Sequence, residues 1–250
     1  MATQDIAGAT ALVTGASRGF GRGIARALTE AGARVVGVGR DRAALDEVRT
    51  ELGDSFVPVA ADATDPVVAG RLIDEHRPHI LVLNAGASPL SRPVHLHTGE
   101  SFSRPWEVDV KQAFHWTREA LLCPLDRGSS VIALSSGAAL AGSPISGGYA
   151  GAKAAVRFIS AYAGEESERA GLGIRFVSVL PQLTPATGLG SAAVEAYAAR
   201  AGVDVATFLD RFGPTITPEQ VGRAVVDLAI DAGHDRPAYL LTADGLSPLG

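Results

Sequence analysis

The chain has 250 residues, of which 46% are hydrophobic and 20% charged, enough to bury a sizeable core. Its formal net charge of -5 creates no basic field for phosphate backbones, which argues against a nucleic-acid binder. The single cysteine, Cys123, excludes an intrachain disulfide framework and is typical of a reducing compartment.

Short apolar runs alternate with longer helical segments along the chain. Seven of these runs have the near-continuous apolar character of strands buried on both faces of a parallel sheet. They cover residues 9–15, 33–39, 55–61, 79–86, 129–136, 174–181 and 238–243. The predicted helices cover residues 20–31, 41–52, 65–76, 99–123, 147–170 and 217–231. This order predicts a single α/β domain over 1–250, with a doubly wound Rossmann-type parallel sheet of about seven strands and helices on both faces.

The segment 183–215 fits no strand–helix unit. It contains two short helical stretches, near 191–201 and 204–211, among Gly, Pro and Thr residues. An insertion of this length after the carboxyl end of a strand is typical of a lid or substrate loop. The helix that follows has a clear start signal, because Thr217 can act as N-cap with Gln220 three residues later.

A glycine-rich turn, TGASRGFG, directly follows the first predicted strand and opens the first helix. Gly15 allows a tight exit from the strand, while Gly19 and Gly21 let a diphosphate approach the backbone. The unpaired N–H groups and the positive dipole end of a helix start stabilise such an anion. The predicted cofactor contacts in this turn are Thr14, Gly15, Ser17, Arg18, Gly19, Phe20 and Gly21.

The end of the second strand indicates which dinucleotide is bound. Many dinucleotide sites carry an acidic residue there, which hydrogen-bonds to the adenosine ribose. This chain has Arg40 instead, followed by Asp41, which we expect to cap the next helix. A guanidinium can pair with a 2′-phosphate through two hydrogen bonds, and Arg18 offers a second cation. We therefore predict NADP(H) in preference to NAD(H), the alternative being that both arginines are solvated surface charges.

These motifs and those that follow resemble the short-chain dehydrogenase/reductase family over nearly the whole chain. The turn matches the family pattern T-G-x-x-x-G-x-G. The acidic residue that contacts the adenine in the family corresponds to Asp62, which is followed by Ala63. The family's N-A-G stretch after the fourth strand is matched by Asn84, Ala85 and Gly86.

The catalytic signature Y-x-x-x-K of the family corresponds to Tyr149 and Lys153. Residues four apart on a helix share a face, so the ammonium lies near the phenol and stabilises its ionised form. The resemblance implies that Lys153 also reaches the ribose of the cofactor. The family's serine lies thirteen residues before the tyrosine, which selects Ser136 over Ser135 as the group that hydrogen-bonds the substrate oxygen.

Two departures from the family pattern affect the predicted site. The family's asparagine before the fifth strand, at a helix kink, is Asp109 here, and we include it in the catalytic set. A buried carboxylate near Lys153 would favour the charged ammonium. After the sixth strand Pro181 is followed by Gln182 rather than glycine. We expect Pro181 to shape this turn and a nearby threonine, Thr184 or Thr187, to contact the nicotinamide.

The resemblance implies an NADP(H)-dependent oxidoreductase that interconverts a ketone and a secondary alcohol. The alternatives are a non-catalytic dinucleotide-binding regulator of the same fold and a 3-oxoacyl-thioester reductase. We expect a small-molecule substrate, no nucleic-acid or membrane partner, and a homotetramer or homodimer in contact through the helices at 99–123 and 147–170. No signal-peptide pattern is present, so the expected location is cytoplasmic. We expect no metal site, and interpret the histidines at 76, 79, 95 and 97 as exposed loop residues.

Overall fold

A single sheet of eight strands forms the centre of the protein, for which a computed structural model describes residues 5–231 and 233–249. The strand order is β3-β2-β1-β4-β5-β6-β7-β8. The strands are β1 Thr10–Thr14, β2 Arg34–Gly39, β3 Phe56–Ala60, β4 Ile80–Leu83, β5 Ser130–Leu134, β6 Arg175–Pro181, β7 Ala238–Thr242 and β8 Gly245–Leu249. The first seven are mutually parallel, which confirms the predicted doubly wound α/β class.

Helices pack on both faces of this sheet. They are α1 Gly19–Glu30, α2 Arg42–Leu52, α3 Pro66–His76, α4 Gly99–Pro105, α5 Lys111–Leu122, α6 Ala138–Ala141, α7 Tyr149–Arg169, α8 Gly188–Ala201, α9 Val205–Phe212 and α10 Pro218–Ile230. One hydrophobic cluster lies under α1 and α10, and the other lies under α3, α5 and α7. None of the helices in the described ranges is long and apolar enough to cross a membrane.

The eighth strand corrects the predicted count of about seven. β8 pairs antiparallel with β7, after a turn at residues 243–244. Its sequence GLSPL has no continuous apolar run, because its residues are exposed or only half-buried at the sheet edge. Pro248 fits there, since an edge strand has one side with no ladder to complete.

The predicted helix over 99–123 is interrupted. α4 ends at Pro105 and α5 begins at Lys111, and between them Trp106–Val110 forms a wider π-helical turn. Proline lacks an N–H and disturbs the regular hydrogen-bond ladder, which favours a break at this point. Such wide turns are common at functional sites, and this one contains the buried Asp109.

Two helix starts confirm their predicted caps. Asp41 accepts a hydrogen bond from the Ala44 N–H at the start of α2. Thr217 accepts one from the Gln220 N–H, and the Gln220 side chain accepts one from the Thr217 N–H, which completes a capping box. The two short helices predicted in 183–215 are present as α8 and α9.

Candidate active site

The carboxyl ends of β1 and β4 form the crevice of the sheet. After β1 the chain winds outward to β2 and β3, and it then returns to β4 on the other side of β1. In doubly wound sheets, ligands bind at this reversal point. The glycine-rich turn follows β1 and the Asn84–Gly86 segment follows β4, so these two predicted cofactor elements meet here.

The glycine-rich turn is packed so tightly that two of its glycines have no room for a side chain. A Cβ on Gly15, where φ is +69°, would lie 2.9 Å from the Cα of Ala85. A Cβ on Gly21 would lie only 2.0 Å from the carbonyl oxygen of Gly15. Gly19, with φ +53°, opens α1 and is more open. Within the described chain, no side-chain hydrogen bond caps α1 at Arg18, so the N–H groups of its first turn are available to an anion.

Asn84 and Thr14 connect the two loops of the crevice. The Asn84 amide donates to the carbonyl oxygens of Thr14 and Gly15, at 3.0 and 3.1 Å. The fully buried Thr14 hydroxyl accepts from the N–H groups of Asn84 and Ala85, and lies 3.1 Å from the side-chain oxygen of Gln112. Thr14 therefore acts on the cofactor turn through the backbone that it holds. Gln112, from α5, was not predicted, because only the fold brings it to a residue 98 positions earlier.

Arg40 and Asp62 follow the carboxyl ends of the neighbouring strands β2 and β3. Both side chains are exposed. The pKa of Asp62 is lowered, mainly by the hydrogen bonds that it accepts from the N–H and hydroxyl of Thr64, and also by the positive charge of Arg40. Ala63 is buried, and its carbonyl oxygen accepts a hydrogen bond of 2.9 Å from the indole of the fully buried Trp116. Trp116 thus fixes the loop after β3 from the protein interior, while the Asp62 carboxylate remains exposed to solvent.

Ser136 and Tyr149 are both half-buried and come from neighbouring elements. Ser136 follows β5, and Tyr149 is the first residue of α7. The adjacent Ser135 is buried, and its hydroxyl donates to the backbone oxygen of Lys153 at 2.7 Å. Of the two serines, Ser136 is therefore the one with a hydroxyl near the surface, where it lies 3.2 Å from the Ala138 nitrogen.

Lys153 lies one helical turn after Tyr149, and its side chain is almost fully buried. The Nζ atom lies 5.8 Å from the centre of the Tyr149 ring and donates to the carbonyl oxygen of Leu134 at 3.0 Å. It also forms an ion pair with Asp109, with 3.0 Å between Nζ and Oδ2. Burial alone would lower the pKa of Lys153, but the negative charges of Asp109 and of the Tyr149 phenolate act in the opposite direction, and the pKa is raised overall.

Asp109 is held from two sides. Its Oδ1 accepts a hydrogen bond of 2.7 Å from the Ala87 N–H, and its Oδ2 faces Lys153. A Cβ on Gly86 would lie 2.9 Å from Oδ2, so the glycine of the N-A-G stretch leaves room for the carboxylate. The structure thus brings Asp109, Tyr149 and Lys153 together, with Asp109 in direct contact with the lysine.

The two candidate threonines of the segment 183–215 lie in different places. Thr184 is buried, and its hydroxyl donates to the Ile216 carbonyl at 2.5 Å, which ties the start of this segment to the residue after its end. Gln182 makes a similar bond of 2.6 Å to the Pro214 carbonyl. Thr187 caps α8, and its methyl carbon lies 3.5 Å from the position of a Cβ on Gly19. Thr187, rather than Thr184, therefore lies against the glycine-rich turn, while Pro181 ends β6 beside Gly137.

Three of the four histidines expected to be exposed loop residues are half-buried: His76, which is the last residue of α3, His79 and His97. His97 packs just before the start of α7. Its ring lies 3.0 Å from the Ser101 hydroxyl and 3.2 Å from the Arg92 carbonyl. A Cβ on Gly147 would lie 2.6 Å from this ring. The spacing of His95 and His97 in the sequence did not predict the contact between His97 and Gly147. Over the described residues, no group of His, Cys, Asp and Glu can hold a metal ion.

The fold and the site together define a Rossmann-type dinucleotide-binding oxidoreductase. The family model described as short chain dehydrogenase matches residues 9–198. An uncharacterized short-chain type dehydrogenase/reductase of Sinorhizobium fredii is 36% identical over 177 residues, which is 68% of each chain. A probable NADP-dependent dehydrogenase of Haemophilus influenzae is 33% identical over 187 residues, 71% of this chain and 72% of that one.

Among solved structures, the fold is similar to that of 3-ketoacyl-(acyl-carrier-protein) reductase from Brucella melitensis complexed with NADH. The TM-score is 0.75 and the identity 26%, with 90% of this chain and 91% of that chain covered. The chain belongs to the short-chain dehydrogenase/reductase family. It is accordingly an oxidoreductase of the class that acts on CH–OH and C=O groups with a nicotinamide dinucleotide.

Proposed function

We propose that this protein is an NADP(H)-dependent reductase/dehydrogenase that interconverts a ketone and a secondary alcohol. The observation that carries the proposal is the Tyr149–Lys153 pair on α7, which hydrogen bonds to Leu134 and Ser135 hold against the carboxyl end of β5, directly before Ser136. A dinucleotide fits the crevice, because the packed glycines and the open N-terminus of α1 leave backbone N–H groups for a diphosphate. When bound, the cofactor would supply or accept the hydride.

The residues of the chain would then move the proton and hold the substrate. In carbonyl reduction the Tyr149 phenol donates its proton to the substrate oxygen, and in alcohol oxidation the phenolate takes a proton back. The Ser136 hydroxyl donates a hydrogen bond to the same oxygen as negative charge develops on it. Lys153 stabilises the phenolate and has a donor for a ribose hydroxyl, while Asp109 holds Lys153.

The other cofactor contacts are assigned by position around the crevice. The turn from Thr14 to Gly21 would hold the diphosphate, and Asp62 with Ala63 would contact the adenine. The segment Asn84–Gly86 would line the ribose and nicotinamide side together with Pro181. Of the two threonines, the contact of Thr187 with the position of Gly19 favours it over Thr184 for the cofactor side of the lid. Arg40, with Arg18, would bind the 2′-phosphate of NADP(H).

The function is tested by following NADPH oxidation with a panel of ketones, aldehydes and oxoacyl thioesters. Tyr149→Phe is expected to lower turnover at least a hundredfold, because it removes the general acid, with unchanged NADPH affinity by fluorescence titration. Tyr162→Phe is the matched control, since it removes an exposed hydroxyl from the same helix. A protein that binds NADPH but converts no member of the panel would instead be the non-catalytic regulator.

A 3-oxoacyl-thioester reductase is the second candidate. The structural similarity to a 3-ketoacyl-(acyl-carrier-protein) reductase favours it. Acetoacetyl-CoA in the panel separates the two, because a thioester reductase should convert it with a higher kcat/KM than the simple ketones.

We also propose that the protein is cytoplasmic and a homo-oligomer. Exposed apolar side chains on α4, α5, α7 and the π turn support subunit contacts there: Phe102, Trp106, Phe114, Phe158 and Tyr162.

A further inference from the structure

A buried carboxylate lies directly against the proposed catalytic lysine. Asp109 and Lys153 are 1% and 6% exposed, and 3.0 Å separates Oδ2 from Nζ. Removing two charges from water is costly, and such a pair persists only where hydrogen bonds support it. The Ala87 N–H supports the carboxylate and the Leu134 carbonyl supports the ammonium. The Asp109–Lys153 ion pair is therefore supported by the surrounding backbone on both sides.

The hydrogen-bond capacity of the ammonium limits what else Lys153 can contact. A lysine ammonium has three N–H donors and no acceptor. One donor is directed to the Leu134 carbonyl. Oδ2 of Asp109 lies 3.0 Å from Nζ as an ion pair without hydrogen-bond geometry, so the attraction between them is electrostatic. The two contacts together hold Nζ in place and leave donors for a ribose hydroxyl or the phenol.

The same carboxylate changes the electric field at Tyr149. The ring centre lies 5.8 Å from Nζ, and the negative Oδ2 lies only 3.0 Å from Nζ. Seen from the phenol, the two charges form a dipole whose field falls off faster than that of a lone cation. We infer that Asp109 is a positioning residue that holds Lys153 and, as its fixed counter-ion, keeps the protons on the Tyr149–Lys153 pair to higher pH. The electrostatic part of this inference is independent of the proposed function. Only its consequence for catalysis, the pH at which Tyr149 donates its proton to a substrate, rests on that function.

The charged groups on the elements around these residues can be separated by experiment. On α7 the ionisable groups of the site are Tyr149 and Lys153, and the π turn contributes Asp109. Glu107 and Lys111 pair with each other on the exposed side of that turn. His97 is the titratable side chain packed against Gly147 at the start of α7, so it needs its own control.

The test is a pH titration by NMR of the folded protein without cofactor. It uses 13C labels at tyrosine Cζ and lysine Cε. The chain has four tyrosines and two lysines, so the spectra are simple, and the exposed Lys111 serves as an internal reference. Tyr149→Phe assigns the Tyr149 signal. The measurement needs no turnover, and a failure of the proposed function therefore leaves it interpretable.

Asp109→Asn removes the charge with little change of shape. We expect the first proton to leave the Tyr149–Lys153 pair about one pH unit lower than in the wild type, or more. Asp109→Glu retains the charge and should titrate close to the wild type. His97→Asn keeps a polar side chain and should leave both signals unchanged. If Tyr149 and Lys153 titrate at the same pH in the wild type and in Asp109→Asn, the inference is wrong.

A second variant covers the case in which Asp109→Asn does not fold, since an unpaired buried ammonium is destabilising. Gly86→Ala keeps the carboxylate but must displace it from its present position, because the new Cβ would lie 2.9 Å from Oδ2, the atom that faces Lys153. The same downward shift is expected, and its absence would overturn the inference. Where turnover is observed, the pH profile of kcat/KM for alcohol oxidation should move in the same direction as the NMR titration.

Discussion

Arg40 gives the most direct test of cofactor preference, because its side chain stands exposed at the end of β2. Arg40→Ala removes the guanidinium and leaves the neighbouring Asp41 to cap α2 as before. Hydrogen bonds to charged groups contribute about 1.5–3 kcal/mol. The lower end of this range applies here, because solvent and salt screen an exposed pair. A loss of about 1.5 kcal/mol corresponds to roughly a tenfold weaker affinity.

The expected result is therefore a roughly tenfold increase in the Kd for NADPH and an unchanged Kd for NADH. Isothermal titration calorimetry or fluorescence titration measures both, and the NADPH effect should shrink as ionic strength rises. Arg42→Ala is the matched control, since Arg42 lies two residues further on and pairs with Asp46 on the surface of α2. An equal loss of affinity for NADPH and NADH in Arg40→Ala would show that Arg40 does not recognise a 2′-phosphate.

Two further predictions concern stability and assembly. Trp116→Phe should lower the free energy of unfolding by about 2–4 kcal/mol in urea titrations, because it leaves the Ala63 carbonyl unpaired and a cavity in the core. Trp106→Phe, at a 39% exposed position, should lower it by less than about 1 kcal/mol; equal effects would contradict the role of the buried hydrogen bond. Phe158→Glu, on the exposed face where Phe158 stacks on Tyr162, should dissociate the homo-oligomer in light-scattering measurements, and an unchanged mass would exclude this face as a contact.

Elements whose residues are specified locally could be predicted from the sequence. Buried parallel strands need continuous apolar runs, so β1 to β7 stand out, and helix caps such as Thr217 depend on residues three apart. β8 could not be recognised in the same way, because an edge strand buries little and its sequence GLSPL resembles a loop. The π turn at Trp106–Val110 is also not encoded by periodicity, which only indicates that a helix is present.

In the candidate site, too, features specified by local motifs could be predicted, and features that depend on tertiary contacts could not. Motif spacing predicted Asp62 shortly after β3, Tyr149 at the start of α7 and Lys153 one turn later, because each motif is short and lies on or next to one element. Motif spacing cannot predict contacts between segments that are distant in the sequence. The hydrogen bond between Thr14 and Gln112 and the packing of His97 on Gly147 depend on how separate elements meet, and no pattern in either segment signals the other.

The segment after β4 links the two halves of the site. At its start, the Asn84 side chain holds the carbonyl oxygens of the glycine-rich turn. Three residues later, the Ala87 N–H holds the carboxylate of Asp109, which in turn holds Lys153. Under the proposed function, a shift of this one backbone segment would move both the glycine-rich turn and the ammonium beside Tyr149. The residues from Asn84 to Ala87 would then align the cofactor with the proton donor, through the Asn84 side chain at one end and the Ala87 N–H at the other.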